Sequence, residues 1–201
     1  MSLKKAGLLI FIILLIDQVS KIYIKTHFVL GEEIFVFNWF RILFVENNGM
    51  AWGAQIPGEY GKLFLTLFRL VAIAGIGYWL YDSVKKQASK ILIICIAFIF
   101  AGALGNIIDS VFYGIIFDHS INQLASFMPE NGGYATLFHG KVVDMLYFPL
   151  WSGVLPEWIP FWGGDYFTFF EPVFNIADSA ITVGVILLIL FNKKAFPKED
   201  N

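Results

Sequence analysis

Four aspartates stand inside or against stretches too apolar to carry a charge without reason: Asp17, Asp109, Asp144 and Asp178. A charge at the bilayer centre costs about 2.5–3.5 kcal/mol on insertion scales, so each acid calls for a partner or a task. Asp17 and Lys21 are four residues apart on one helical face, which predicts a local ion pair and a structural acid. Asn106 and Asp109 are three apart, next to the small-residue run Ala101-Gly102-Ala103-Leu104-Gly105, which admits another helix at close range. Asn175, Asp178, Ser179 and Thr182 follow i, i+3, i+4, i+7, a polar stripe that must face protein or a wet cavity. Asp144 lies in Val142-Val143-Asp144-Met145, ahead of that stripe.

Two carboxyls held close share one proton, because both cannot ionise at about 3 Å separation. The ionised member takes a proton from water as that water attacks an amide carbonyl. Its protonated partner donates to the developing oxyanion and then helps the amine leave. That is amide hydrolysis with neither metal nor covalent intermediate. On the residues alone, a structural cluster and a proton relay stay open as alternatives. Other chemistries are poorly supplied. His27, His119 and His139 form no HExxH pattern, there is no GxSxG elbow, and Cys95 stands alone in an apolar stretch. No phosphate-binding loop appears, and neither a metal nor another cofactor is expected.

The elements that must position these acids are membrane helices. The chain is 58% hydrophobic and 15% charged, with mean hydropathy +0.70. A soluble domain carries about 25% charge, so this composition reads as a polytopic membrane protein. Lys+Arg 14 against Asp+Glu 16 leaves no basic excess for nucleic acid. Four stretches are apolar enough to span, about 6–24, 63–81, 91–113 and 172–191. The first follows Lys4 and Lys5 like a signal peptide, but no small-residue cleavage site comes after it, so it reads as a span. The amino end, the 82–90 connection and the tail hold eight lysines. The connections 26–61 and 114–171 hold only Arg41 and Lys141, which places both termini in the cytoplasm and both long connections outside. Trp39, Trp52, Trp151, Trp158 and Trp162 fall in those outer connections, which are expected to rest on the membrane surface. The run 33–46, β-branched and aromatic with Asn38 near its middle, predicts a small outer hairpin. Counted along the spans, Asp109 lies about 27 Å from Ile91 and Asp178 about 9 Å below the outer surface. The acids therefore meet at the outer leaflet boundary, whereas a proton-coupled carrier would hold them at the midplane. Residues 147–170, crowded with aromatics and broken by prolines and Gly163-Gly164, read as an interfacial anchor or as a lid over the acids hinged at those glycines.

The motif order is also informative. Asp17-Gln18-Val19-Ser20-Lys21, Asn47-Asn48-Gly49-Met50-Ala51-Trp52, Gly105-Asn106-Ile107-Ile108-Asp109, Gly140-Lys141-Val142-Val143-Asp144 and Phe174-Asn175-Ile176-Ala177-Asp178-Ser179 follow one another along the chain. This series resembles lipoprotein signal peptidase (signal peptidase II), a four-helix intramembrane aspartyl protease of bacteria, from about residue 7 to 192. The resemblance implies a single domain over 1–201, an all-α membrane protein with four transmembrane helices and a small extracytoplasmic β-element. It implies Asp144 and Asp178 as the catalytic pair. It also implies Asn47, with Gly49 beside it, Asn106 and Asn175 as substrate-binding residues, and Asp17, Lys21, Asp109 and Ala177 as support. The implied substrate is a prolipoprotein whose cysteine carries diacylglycerol, cut just before that cysteine at the outer face of the cytoplasmic (inner) membrane. Beyond substrate and membrane lipids no partner is expected, and the chain is expected to be a monomer. Two departures stand out. Ser110 occupies the place of an arginine, for which Lys141 or Arg41 could substitute, and insertions occur at about 115–139 and 147–170.

Overall fold

The computed structural model describes residues 1–48 and 60–197. About half the chain is helical. Helix α1, Leu3–His27, starts where the Ser2 hydroxyl accepts from the Lys5 amide at 3.4 Å. Helix α2 is Gly61–Lys85. Helix α3, Lys90–Ile108, begins at Ser89, whose hydroxyl accepts from the Leu92 amide at 3.1 Å. One π-helical turn, Asp109–Tyr113, and the short α4, Gly114–Ile116, prolong α3 into an apolar run of 27 residues. These three helices are long and apolar enough to cross a membrane.

Helix α5, Ile176–Leu190, is shorter than the 172–191 run predicts. Its start is fixed by a reciprocal cap. The Asn175 side chain accepts from the Asp178 amide at 2.9 Å, and the Asp178 carboxylate accepts from the Asn175 amide at 3.3 Å. Asp178 therefore sits in the first turn of α5, rather than two turns into a helix begun at Pro172. A last turn, α6, covers Asn192–Ala195.

α3 is the central helix, flanked by α1, α2 and α5. The small-residue run does what its composition predicts. A Cβ on Gly102 would lie 2.1 Å from the Ala177 carbonyl oxygen, so α5 packs backbone to backbone against α3. At the other end of the bundle Ala6, Leu80, Leu92, Ile96 and Ala195 share one core, which puts the start of α1, α6 and the α2–α3 connection on one side.

The β content exceeds one small hairpin, and the all-α expectation gives way to two antiparallel sheets. Strands β1, Glu33–Phe37, and β2, Phe40–Asn47, form the predicted hairpin. β2 then pairs with β3, Val142–Tyr147, opposing Val45 to Asp144. Strands β4, Trp151–Val154, and β5, Tyr166–Phe169, make a separate ribbon. The last strand, β6, Val173–Phe174, closes the first sheet as β1-β2-β3-β6. The 147–170 segment is thus a hairpin with an exposed aromatic surface, and Phe161 at its tip is 98% exposed. Gly163 and Gly164 form the tip turn, held by hydrogen bonds to the Ile159 and Leu155 carbonyls.

The 115–139 insertion packs under the sheet. Phe117 and Ala125 join Ile24, Phe28, Phe44, Tyr113, Val143 and Met145 in one core. Buried Lys25 binds Glu46 of β2 and donates to Ser120 Oγ at 2.9 Å, tying α1, sheet and insertion together.

Candidate active site

The site lies where the C-terminal half of α1, the end of α3 and the start of α5 meet β3. Asp144 projects from β3 and is buried. Its Oδ1 accepts from Asn175 Nδ2 at 2.6 Å, and its Oδ2 accepts from Asn47 Nδ2. Asp178, in the first turn of α5, is half-buried, and its Oδ1 accepts from Asn106 Nδ2 at 2.7 Å. The two asparagines touch each other, Asn175 Nδ2 to Asn106 Oδ1 at 3.1 Å. The two carboxylates therefore sit at opposite ends of a two-amide bridge. Burial first, and the Asp178 charge second, hold the Asp144 carboxyl up to about 8.

Beneath this bridge lies a buried ionic platform. Lys21 Nζ is 3.0 Å from Asp17 Oδ2 and 2.9 Å from Asp109 Oδ2, with all three side chains closed to solvent. The predicted local pair with Asp17 is present. The second acid, from the π-helical turn after α3, is not visible in sequence spacing. Lys21 also donates to Asn106 Oδ1 at 2.9 Å. A lysine can only donate, so this contact turns the Asn106 carbonyl toward Lys21 and its NH2 toward Asp178. Asp17 Oδ1 accepts from the Ala177 amide at 2.9 Å, seating the start of α5, and Asp109 Oδ2 accepts from the Val143 amide at 3.3 Å, seating β3. A Cβ on Gly105 would fall 2.6 Å from Asp17 Oδ2, so that glycine leaves room for the platform.

A family model described as signal peptidase (SPase) II matches residues 9–193. The chain belongs to the signal peptidase II family. A lipoprotein signal peptidase of Porphyromonas gingivalis is 52% identical to it over 188 residues, covering 93% of this chain and 82% of that protein. Another, of Amoebophilus asiaticus, is 39% identical over 179 residues, covering 87% and 72%. A bacterial membrane enzyme structure, solved by the in meso method at 2.3 Å resolution, matches with a TM-score of 0.64 and 26% identity over 99% of this chain and 94% of that one.

Set against the signal peptidase II motifs, Asn47, Asn106, Asn175, Asp144 and Asp178 come together, with Asp17, Lys21, Asp109 and Ala177 below them. Gly49 and Trp52 lie outside the described residues. The cations offered as substitutes at Ser110 are engaged elsewhere. Arg41 pairs with Glu33 at 3.0 Å and Lys141 with Glu46 at 3.4 Å. Ser110 itself is buried and donates to the Asn106 carbonyl at 2.9 Å. Sequence reasoning overlooks Gln18, whose Nε2 is 3.0 Å from both Asp17 Oδ2 and Asp109 Oδ1, and whose Oε1 accepts from Tyr113. Its adjacency to Asp17 is the only signal the sequence offers. Lys62 and Arg69, two cations on α2, are overlooked as well.

Proposed function

We propose that this chain is the aspartyl endopeptidase that removes the signal peptide from diacylglyceryl-modified prolipoproteins, cutting just before the lipidated cysteine at the outer face of the cytoplasmic membrane. The observation that carries this reading is the unequal carboxylate pair, Asp144 buried and Asp178 partly open, joined through Asn175 and Asn106. A buried acid held up to about 8 keeps its proton at neutral pH. Asp144 is then the acid and Asp178 the base. Asp178 takes a proton from water as the water oxygen bonds to the scissile carbonyl carbon, and Asp144 donates to the carbonyl oxygen. Collapse of the tetrahedral species returns that proton to Asp144, while Asp178 passes its own to the departing amine, which breaks the C–N bond. Each carboxyl ends in its starting state.

The membrane arrangement follows the same reading. With its flanking residues α5 makes a fourth crossing, the sheet lies at the outer boundary, and both termini face the cytoplasm in accord with the lysine asymmetry. A single domain acts as a monomer. The proton-relay or scaffold reading has no observation in its favour.

The test is cleavage of a synthetic peptide carrying a diacylglyceryl cysteine. Asp144→Asn and Asp178→Asn each abolish turnover while leaving thermal unfolding and peptide binding in place. Full activity in either variant refutes the assignment. For topology, a cysteine at Gln87 should resist an impermeant outer label and one at Glu130 should react; the reverse pattern refutes the orientation.

A further inference from the structure

Arg69 is a cation within an apolar helix, and its Nη1 atom is buried with no hydrogen-bond partner among the described residues. A buried guanidinium N–H left unpaired costs free energy comparable to a lost charged hydrogen bond, so it marks a place where a partner is missing. The inner side of α2 also carries Lys62 and Thr66. Lys62 Nζ donates to the Asn48 carbonyl at 2.8 Å, next to the Asn47 that holds Asp144, and Thr66 Oγ1 donates to the Phe138 carbonyl at 3.0 Å. Both neighbours are satisfied and pin α2 beside the site; Arg69, one turn further along, is not. Among the described residues the acid whose charge acts on it is Asp178, and no ion pair forms between them.

We propose that Arg69 is a substrate-binding residue whose guanidinium donates to a carbonyl oxygen of the lipidated substrate beside Asp178. The inference rests on the peptidase reading above. A neutral acceptor is favoured over an anion, because Asp178, Asp144, Asp109 and Asp17 surround the site and Lys21 is already paired with two of them. No other cation is better placed. Arg41 and Lys141 are ion-paired, Lys62 is bonded to Asn48, and Ser110 is turned to the backbone. Two carbonyls of such a substrate qualify, one in the peptide main chain and one in the acyl ester of the lipid.

The full-length enzyme, as wild type, Arg69→Gln and Arg69→Lys, is assayed in detergent micelles on a diacylglyceryl peptide and on its dialkyl-ether counterpart, which lacks the ester carbonyls. Arg69→Gln raises KM for the ester peptide about tenfold or more through loss of a charged hydrogen bond. Its kcat changes less than its KM, its pH profile does not move, and Arg69→Lys recovers part of the loss. An equal KM ratio on the ether peptide identifies the main-chain carbonyl, and a ratio collapsing to one identifies the ester; both outcomes support the proposal. Unchanged KM in Arg69→Gln overturns it. So does a loss confined to kcat with a displaced pH profile, since the arginine would then act on Asp178. If Arg69→Gln shows no cooperative unfolding, Arg69→Lys carries the test, and a wild-type KM there overturns the proposal. A wild-type enzyme inert toward the ester peptide, or an active Asp144→Asn, would instead sink the underlying peptidase reading.

Discussion

Titrating the enzyme from pH 7 to pH 9 tests which carboxyl carries the shared proton. Asp144 is held up to about 8, by burial on β3 and then by the charge of Asp178. A group with that value is roughly nine-tenths protonated at pH 7 and roughly one-tenth at pH 9. If the protonated form is the active one, kcat/KM on a diacylglyceryl peptide falls about tenfold over that interval. The same titration reaches stability, with a definite sign. The folded value lies above the ordinary carboxylate range near 4, so between about 4 and 8 the folded state holds a proton that the unfolded chain has released. Stability therefore falls as pH rises through that window and levels off above it. Asp144→Asn has nothing to titrate there, so its thermal midpoint should gain on wild type as pH rises from 5 to 8. Asp178→Asn removes the like charge and should move the loss to lower pH. A kcat/KM that is flat or rising from pH 7 to 9 would refute the proton assignment, and so would parallel midpoints for wild type and Asp144→Asn.

Further perturbations probe the frame around the pair. Lys21→Met leaves Asp17 and Asp109 buried without their cation and should cost about 3–5 kcal/mol in unfolding measurements; Asp17→Asn, which leaves the Lys21–Asp109 pair, should cost less. Gly102→Ala puts a methyl 2.1 Å from the Ala177 carbonyl, so it should destabilise by about 1–3 kcal/mol and slow cleavage by shifting the helix that carries Asp178. Gly75→Ala meets nothing within 4 Å and should be neutral or mildly stabilising by comparison. Replacing 150–168 by a short Gly/Ser linker should weaken cleavage of the lipidated peptide while helical circular dichroism stays constant; unchanged turnover and affinity would reduce the aromatic hairpin to an anchor.

Acids are costly in membrane helices, and the cost makes most of this site legible in the sequence. Asp17 with Lys21, Asn106 with Asp109 and Asn175 with Asp178 each reveal a shared face through a three- or four-residue spacing. Gly102 and Gly105 disclose the close approach of α5. What stays hidden depends on pairings between distant segments. β3 finds its partner in β2, whose residue Val45 opposes Asp144, and no local pattern announces that register. The second acid on Lys21 comes from the turn after α3, and the buried Lys25–Glu46 pair joins helix to sheet. The fourth apolar run looks longer than α5 because hydropathy counts Val173 and Phe174 as helix, whereas the Asn175 cap ends the strand and starts the helix there. Arg69 is conspicuous only once its lack of a partner is seen.

The Asp17–Ala177 hydrogen bond links residues 160 apart in sequence, and that separation bears on how the protein is made. During synthesis α1 enters the bilayer long before α3 or α5 exists. Because Lys21 stands one turn from Asp17, that acid can enter with its counter-charge already on the same helix, and Asp109 joins the pair only when the turn after α3 arrives. Asp144 is translated next, still lacking Asn175 and Asp178. The last helix brings both of those residues and, in docking its first turn on Asp17, completes the pair. A chain halted before residue 170 therefore carries nearly the whole platform and Asp144 alone, and on the proposed mechanism it would have no means of cutting. On that mechanism hydrolytic competence would arrive in a single late step, after the other segments have been made.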